Sequence, residues 1–166
     1  MAGGGESALG LQRLVNISTR ARVGSGDGVA IAGFVIAGEE SKPVLIRAVG
    51  PTLGAAPFNV PGVLAAPRLE LFRGTTSLAV NSGIAANRAA IDAAGRQAGA
   101  FALDAAGNDA AILTTLAPGN YTAQVSGASG AAGIALIEVY DLSTTAAGQK
   151  MLNIATRASA HAVSAF

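Results

Sequence analysis

The first clear pattern in the chain is a strict alternation of residue types between positions 14 and 23. One row of alternate positions is apolar or small, namely Val15, Ile17, Thr19, Ala21 and Val23, and the other row is polar. A period of two is typical of a half-buried β-strand. A glycine-rich turn at 24–28 and an apolar run at 29–36 follow, so the two runs are predicted to form a hairpin. A third strand is predicted at 44–49, which indicates an antiparallel sheet.

The rest of the chain is predicted to contain short strands, one long loop and one helix. Residues 51–67 hold four of the six prolines and are predicted to form a surface loop. Alternating residues at 68–72 and 77–80 predict a second hairpin. The alanine-rich stretch at 84–98 carries polar residues about one turn apart and predicts a helix. Further strands are predicted at 100–103, 110–116, 121–126 and 134–142.

These elements predict an all-β fold, an antiparallel β-sandwich or jelly roll, with one short helix near residues 84–98. A length of 166 residues suits a single hydrophobic core. The predicted organisation has four parts, which are an N-terminal extension at 1–13, a sandwich domain at 14–142, a flexible linker at 143–149 and a C-terminal strand region at 150–166.

The C-terminal region repeats the first predicted strand. Residues 14–23 are LVNISTRARV and residues 151–160 are MLNIATRASA, at an offset of 137 residues. Five of the ten positions are identical, and these include an Asn and an Arg in the polar row. Because the offset is the length of a domain, the chain corresponds to one module followed by the opening strand of another.

A sandwich has one position for its first strand, so the surplus strand is predicted to fill that position in a neighbouring subunit. The linker 143–149 can span about 23 Å at about 3.3 Å per residue, which is enough to cross a subunit boundary. Head-to-tail exchange propagates into a fibre unless a ring closes. Two alternatives remain open: both terminal strands belong to one subunit, paired together or on opposite sheets, or the chain is part of a longer tandem array.

The residues assigned to assembly follow from this repeat. They are Leu152, Asn153, Ile154, Thr156, Arg157 and Ala158 in the donor strand, and Val15, Asn16, Ile17, Thr19, Arg20 and Ala21 in its N-terminal equivalent.

Composition narrows the possible partners. Only 13% of the residues are charged, against about 25% in an ordinary soluble domain, so part of the surface is expected to be covered. A net charge of +1 without a basic cluster makes nucleic acid an unexpected partner. The apolar stretches are too short for a membrane-spanning helix, and no membrane insertion is expected.

Groups that could carry catalysis or bind a metal are few. The absence of Cys and the single His161 exclude thiolate catalysis, disulfides and multi-histidine metal sites. Neither a nucleophile motif for His161 nor a calcium-loop spacing around Asp104, Asn108 and Asp109 is present. No catalytic residue, metal site or cofactor is therefore predicted, and we do not expect an enzyme.

The remaining charged and aromatic residues are interpreted as surface groups. No motif pairs two of the carboxylates for glycoside hydrolysis; these are Glu70, Asp92, Asp104, Asp109, Glu138 and Asp141. The arginines of the terminal strands are expected to pair with carboxylates such as Glu39, Glu70 or Glu138. Only Phe58 and Phe166 lie outside strand-like patterns, which leaves few aromatic platforms for sugars.

Several blocks of the sequence resemble a bacterial module that occurs in tandem in large predicted surface or secreted proteins. The blocks are LVNISTR at 14–20, AGFVI at 32–36, VLIRAVGPTL at 44–53, PRLELF at 67–72, PGNYTAQVSG at 118–127 and IEVYD at 137–141. The resemblance covers nearly the whole chain, and it implies no catalytic residues. The block at 118–127 is also similar to the closing strands of secreted β-sandwich domains that follow bacterial peptidases.

The sequence therefore predicts an extracellular or cell-surface structural protein that self-assembles head to tail into filaments by strand exchange. Its expected partner is itself, with surface glycans or matrix as further candidates. Residues 1–6 lack the features of a signal peptide. The protein is therefore either cytoplasmic or exported with a leader that this sequence does not include, and the predicted surface or secreted role favours the second. The alternative function is a monomeric adhesin or carbohydrate-binding sandwich module of a larger tandem surface protein, and a hydrolase ranks third.

Overall fold

A computed structural model describes residues 15–144 and 150–157 of the chain. The described residues form nine strands and two α-helices. The strands are β1 (Asn16–Val23), β2 (Ala30–Ala37), β3 (Lys42–Val49), β4 (Pro67–Arg73), β5 (Thr76–Asn81), β6 (Ala110–Leu116), β7 (Gly119–Gly127), β8 (Gly133–Asp141) and β9 (Lys150–Arg157). The helices are α1 (Pro51–Gly54) and α2 (Arg88–Ala98).

The strands form two sheets that pack face to face. The four-stranded sheet has the order β1-β8-β3-β6, and the five-stranded sheet has the order β5-β4-β7-β2-β9. All the strand pairs are antiparallel. The predicted antiparallel β-sandwich is confirmed, as are the β4–β5 hairpin and a helix inside the range 84–98.

The predicted hairpin between the first two strands is wrong. β1 pairs with β8 in one sheet, and β2 pairs with β7 and β9 in the other. Both strands bury one face, and those faces meet across the core, where Val23 and Ala30 are fully buried. The connection at 24–29 therefore crosses between layers instead of closing a hairpin. Alternation reveals which face is buried, but the identity of the neighbouring strand depends on distant residues.

No strand is present at 100–103, although one was predicted there. The backbone carbonyls in this region accept hydrogen bonds from side chains. Arg88 donates to the carbonyls of Leu103 and Asp104, at 2.6 and 3.0 Å, and Arg47 donates to the carbonyl of Phe101 at 2.7 Å. These arginines satisfy carbonyls that a strand would have satisfied through a neighbouring strand.

The main core lies between the two sheets and is built from the inward rows of their strands. Its central side chains include Phe34, Ile46, Leu69 and Ile137, each at most 1% exposed. Phe34 stacks on Tyr121 with ring centroids 5.7 Å apart. This burial is the main stabilising contribution to the fold.

A second apolar cluster covers the outer face of the four-stranded sheet. Ile91 and Ala94 of α2 pack there with residues from β3, β8 and the adjoining loops. The helix ends at Gly99, which adopts φ 73° and whose N–H bonds to the carbonyl of Arg96, as in a left-handed C-terminal cap. The cluster covers the outer face of β3 and the end of β8, whereas outward residues of β1 such as Ser18 and Arg20 stay exposed.

Candidate functional site

The terminal strands lie in opposite sheets, and each is the outermost strand among the described residues. β1 packs across the core from β2, and β9 is the outer neighbour of β2. The edges of β1 and β9 that have no neighbouring strand within residues 15–144 and 150–157 therefore lie on the same side of the sandwich. An unpaired strand edge offers main-chain donors and acceptors to another chain.

β1 fits against β8 without interruption. Eight consecutive residues pair, from Asn16 opposite Tyr140 to Val23 opposite Gly133. Ile17 and Ala21 are 6% and 7% exposed and belong to the main core. The alternation in the sequence thus matches one continuous β-ladder.

β9 pairs with β2 of its own chain, and this ladder contains an irregularity. The register shifts between Gly33 and Phe34, where Ala155 and Asn153 are the paired residues and Ile154 is passed over. Met151 is fully buried and belongs to the main core, whereas Leu152 is 46% exposed. An extra residue of this kind is a β-bulge. The sequence of β9 therefore needs a bulge to fit β2.

Gly33 lies opposite Ala155 beside the bulge. A Cβ atom at position 33 would lie 3.4 Å from the carbonyl oxygen of Ala155, which is ordinary van der Waals contact. The approach of β9 to β2 therefore leaves room for an alanine at this position.

The structure places the predicted assembly residues as follows. In and before β1, Val15 is 54% exposed, Arg20 is exposed, and Asn16 and Thr19 are half-buried. In β9, Leu152 and Arg157 are exposed, the side chains of Asn153, Ile154 and Thr156 are not described, and Ala158 lies outside the described residues. The described members of the two groups lie on the same side of the molecule but in different sheets.

The side-chain oxygen of Asn16 is buried. This Oδ1 atom has no hydrogen-bond partner within the described part of the chain. A buried acceptor without a partner is unfavourable. Asn153 occupies the corresponding position of the repeat, so both terminal strands carry this polar group.

The opposite side of the sandwich is partly closed. β5 and β6 are in contact there, and the Asn81 side-chain oxygen accepts a hydrogen bond of 3.1 Å from the Ala111 N–H. Asn81 thus occupies part of the β6 edge.

Buried ion pairs join β3 to β8, the strand on which β1 rests. Lys42 and Asp141 are 1% and 6% exposed, and Lys42 Nζ lies 2.7 Å from Asp141 Oδ2. Arg47 Nε donates to Glu138 Oε2 at 2.8 Å, and the Tyr140 hydroxyl donates to Glu138 Oε1 at 2.7 Å. Burial raises the pKa of Tyr140, and the hydrogen bond to Glu138 raises it further.

The interpretation of the carboxylates as surface charge is wrong for three of them. Glu138, Asp141 and Asp109 are at most 6% exposed. Glu138 pairs with Arg47 and Glu70 with Arg68, so neither pairs with an arginine of the terminal strands. In the sequence, the only sign that a carboxylate is buried was that Arg47 and Glu138 interrupt otherwise apolar strands. Charges buried in such strands require partners.

Asp109 connects β6 to the turn after β3. It is fully buried and accepts hydrogen bonds from the Gly50 N–H, at 2.8 Å, and from the Thr52 hydroxyl. The Thr52 hydroxyl also accepts a hydrogen bond from the Asp104 N–H, at 2.7 Å. These contacts form a structural network, so Asp109 is not the surface group expected from the sequence.

A groove between α1 and the 101–104 segment carries a pair of aromatic rings. Phe58 is 41% exposed, and its ring centroid lies 4.9 Å from that of Phe101. The Phe101 ring in turn lies 4.4 Å from the Arg47 guanidinium carbon. The cavity beside the rings has a volume of about 440 Å³ and is also bordered by Asp104.

The remaining predictions concern His161, metal sites and membrane-spanning helices. His161 lies outside the described residues. Within residues 15–144 and 150–157, no group of three or more His, Cys, Asp or Glu side chains is arranged to hold a metal ion. Over the same ranges, no helix is long and apolar enough to cross a membrane.

Comparison with known proteins finds a similar solved structure and no matching family. No family model matches the chain, and no curated protein matches it significantly. A similar solved structure is the pre-peptidase C-terminal domain of a collagenase from Bacillus anthracis, with 13% identity and a TM-score of 0.44. That similarity covers 75% of this chain and 89% of the other.

Proposed function

We propose that this protein is an extracellular structural protein that self-assembles head to tail into filaments by β-strand exchange. In this proposal β9 is the donor strand, and it enters the sheet of a neighbouring subunit at the β8 edge, in place of β1. The mechanism is association and includes no catalytic step.

The observation that supports the proposal is the identity of the repeated residues at the inward positions of β1. Ile17 and Ala21 fill the core beside β8, and half-buried Thr19 lies between them in the same row. The repeat has Ile154, Thr156 and Ala158 at the same places. A strand with these residues offers the β8 edge the same side chains at the same spacing as β1 does.

The fit of β9 to its own chain supports an exchangeable strand. It pairs with β2 through a bulged ladder, whereas β1 pairs with β8 without a bulge. β9 follows the linker at 143–149, which consists mainly of small residues. A strand held at one edge by such a linker is suited to exchange between subunits.

The symmetry of the contact favours an open polymer. Each subunit would donate one strand at its C-terminal side and accept one at its β8 edge. These two surfaces differ, so the contact is heterologous and repeats without closing unless its rotation forms a ring. The low fraction of charged residues, 13%, is compatible with a protein whose surface is covered in an assembly.

The test is removal of the donor strand. A chain lacking residues 150–166 should remain small in analytical ultracentrifugation and show no filaments by electron microscopy, while the full chain forms them. A chain lacking residues 1–13 is the control and should still assemble, because both repeated strands remain. Filaments formed by the chain without 150–166 would contradict the role of β9.

The alternative is a monomeric adhesin or carbohydrate-binding module, and one observation favours it. The exposed ring of Phe58, next to Phe101 and the Asp104 border of the groove, offers a stacking surface and a hydrogen-bond acceptor. Under this alternative a strictly monomeric sample should bind sugars on a glycan array, and Phe58→Ala should abolish binding. The absence of sugar binding by the folded monomer would exclude it.

A further inference from the structure

The place of β9 in the single chain differs from its place in the proposed filament. In the single chain β9 pairs with β2, in the five-stranded sheet. In the filament it would pair with β8 of a neighbour, in the four-stranded sheet. The segment equivalent to β1 is 153–160, and residues 153–157 belong to the strand that is paired with β2.

A β9 strand that stayed on β2 while it filled the β1 position of a neighbour would not give a filament. The edges of β1 and β9 that have no neighbour in the described part of the chain lie on the same side of the sandwich. The β9 strand of the neighbour would therefore face the β1 position of the first subunit. Such a contact is the same on both subunits and closes as a pair. Head-to-tail assembly thus requires that β9 leaves β2.

β9 is attached to β2 by its strand ladder and by one buried side chain. Met151 lies opposite Ile36 of β2 and is fully buried in the main core. The other β9 side chains that the structure describes, those of Leu152, Ala155 and Arg157, are exposed. Among the described side chains of β9, Met151 therefore makes the main apolar contact with the rest of the chain.

Met151 lies outside the segment that would be donated. The β1–β8 ladder begins at Asn16, and the equivalent of Asn16 is Asn153. The equivalent of Met151 is residue 14, which precedes β1. The side chain that attaches β9 to its own core is thus separate from the segment that a neighbour would receive.

The strand ladders of the sandwich allow β9 to separate without the loss of another strand pair. β2 pairs with β7 along its other edge, from Ala30 opposite Val125 to Ile36 opposite Gly119. The β2–β9 ladder is interrupted by a bulge. An outermost strand with an interrupted ladder can open locally, at a lower free energy than that of global unfolding.

We infer that the pairing of β9 with β2 is an autoinhibitory clasp in which Met151 is the main apolar contact. The closed clasp keeps the donor strand on its own subunit, and opening releases the strand for the β8 edge of a neighbour. The rate of assembly then depends on the fraction of chains with an open clasp. This inference rests on the proposed function and specifies how it is regulated.

Shortening Met151 tests the clasp, because it should speed assembly although it removes a core side chain. Met151→Ala weakens the closed state, whereas the open chain, in which residue 151 has left the core, is unaffected. We expect the initial rate of assembly, followed by light scattering, to rise about tenfold or more, since truncating a buried Met to Ala costs more than the free energy of a tenfold change.

A matched control separates the clasp from general destabilisation. Leu71→Ala removes an equally buried side chain of the same core. Leu71 belongs to β4, which pairs with β5 and β7, so open and closed chains both contain it. Leu71→Ala should therefore leave the initial rate of assembly unchanged.

A disulfide that locks the clasp should have the opposite effect to Met151→Ala. The chain contains no Cys, and Val35 and Leu152 are paired residues in the β2–β9 ladder. A chain with Val35→Cys and Leu152→Cys should form an intrachain disulfide. The oxidised protein should remain monomeric in analytical ultracentrifugation, and reduction should restore assembly.

The outcomes distinguish the clasp from the function on which it rests. Assembly of the oxidised protein at the rate of its reduced form would overturn the clasp, because filaments would then form while β9 stays on β2. Assembly of Met151→Ala no faster than that of the unaltered chain would also overturn it, and so would equal acceleration by Leu71→Ala. If the unaltered chain forms no filaments, the proposed function itself fails.

Discussion

At the scale of single residues, several buried polar side chains of this sandwich depend on partners that are distant in the sequence. Asp109, Lys42, Arg47 and Glu138 are all at most 4% exposed. Each has a hydrogen-bond or ion-pair partner that is distant in the sequence. Removing one partner leaves the other buried without compensation, and such changes are among the most destabilising known.

Replacing Asp109 tests how much its hydrogen-bond network contributes to the free energy of unfolding. We expect Asp109→Ala to lower the free energy of unfolding by about 2–4 kcal/mol, because the Gly50 N–H and the Thr52 hydroxyl lose their acceptor. Urea denaturation followed by circular dichroism measures the change. Asn108→Ala, at an exposed neighbouring position, is the control and should change stability by less than about 0.5 kcal/mol.

The Glu70 carboxylate should titrate below its ordinary range. Hydrogen bonds from Ser77 and Arg68 lower its pKa. Its ionised form is therefore favoured by folding, so its stabilising contribution is present above the ordinary pKa and is lost as the pH falls through the lowered value. An NMR titration should show that Ser77→Ala raises the pKa of Glu70, whereas Thr76→Ala leaves it unchanged. An unchanged midpoint in Ser77→Ala would rule out Ser77 as the main cause.

At the scale of elements, β8 is held in place by β3, and this pairing keeps its other edge available for a terminal strand. The ion pairs Lys42–Asp141 and Arg47–Glu138 span these two strands. The ladder between them extends from Val44 opposite Asp141 to Val49 opposite Leu136. β8 therefore presents a well-supported edge to whichever strand occupies the β1 position.

Breaking one ion pair should destabilise the molecule more than removing both charges. Asp141→Ala leaves Lys42 buried without this partner, and we expect a loss of about 3–5 kcal/mol in the free energy of unfolding. The double variant Lys42→Met with Asp141→Leu should recover much of the loss, since two apolar side chains can pack where the charges were. Chemical denaturation of the three proteins provides the comparison, and a double variant no more stable than Asp141→Ala would refute this account.

At the scale of the whole molecule, the two terminal strands lie on the same side of the sandwich, and this arrangement determines how subunits can join. Residues that are 137 positions apart in the chain carry equivalent side chains in opposite sheets. A filament formed through them would be held by main-chain hydrogen bonds and apolar contacts. Such contacts depend little on salt, which distinguishes them from charge-driven aggregation.

A matched pair of variants in β9 should separate assembly from folding. Ile154 corresponds to the buried Ile17, and Ala155 corresponds to the exposed Ser18. We expect Ile154→Asp to abolish filaments, because it would bury an unpaired charge at the β8 edge, whereas Ala155→Asp should still assemble. Electron microscopy and sedimentation measure assembly, and thermal unfolding checks that both proteins are folded. Equal assembly of the two variants would exclude the proposed orientation of the donor strand.

The sequence alone predicted the fold class, most strands, the β4–β5 hairpin and the position of the helix, because these depend on local alternation and on turn residues. It also showed the repeat of β1 in β9. These features belong to short segments, and they depend on residues that are close together in the sequence.

Only the tertiary structure decided which strands are neighbours. It placed β1 beside β8 and β9 beside β2, and it moved Glu138, Asp141 and Asp109 into the interior. The pattern at 29–36 does not distinguish a hairpin partner from a strand in the opposite sheet, since both bury the same face. Long-range pairing depends on how all the strands share one core, and that information is distributed over the whole chain.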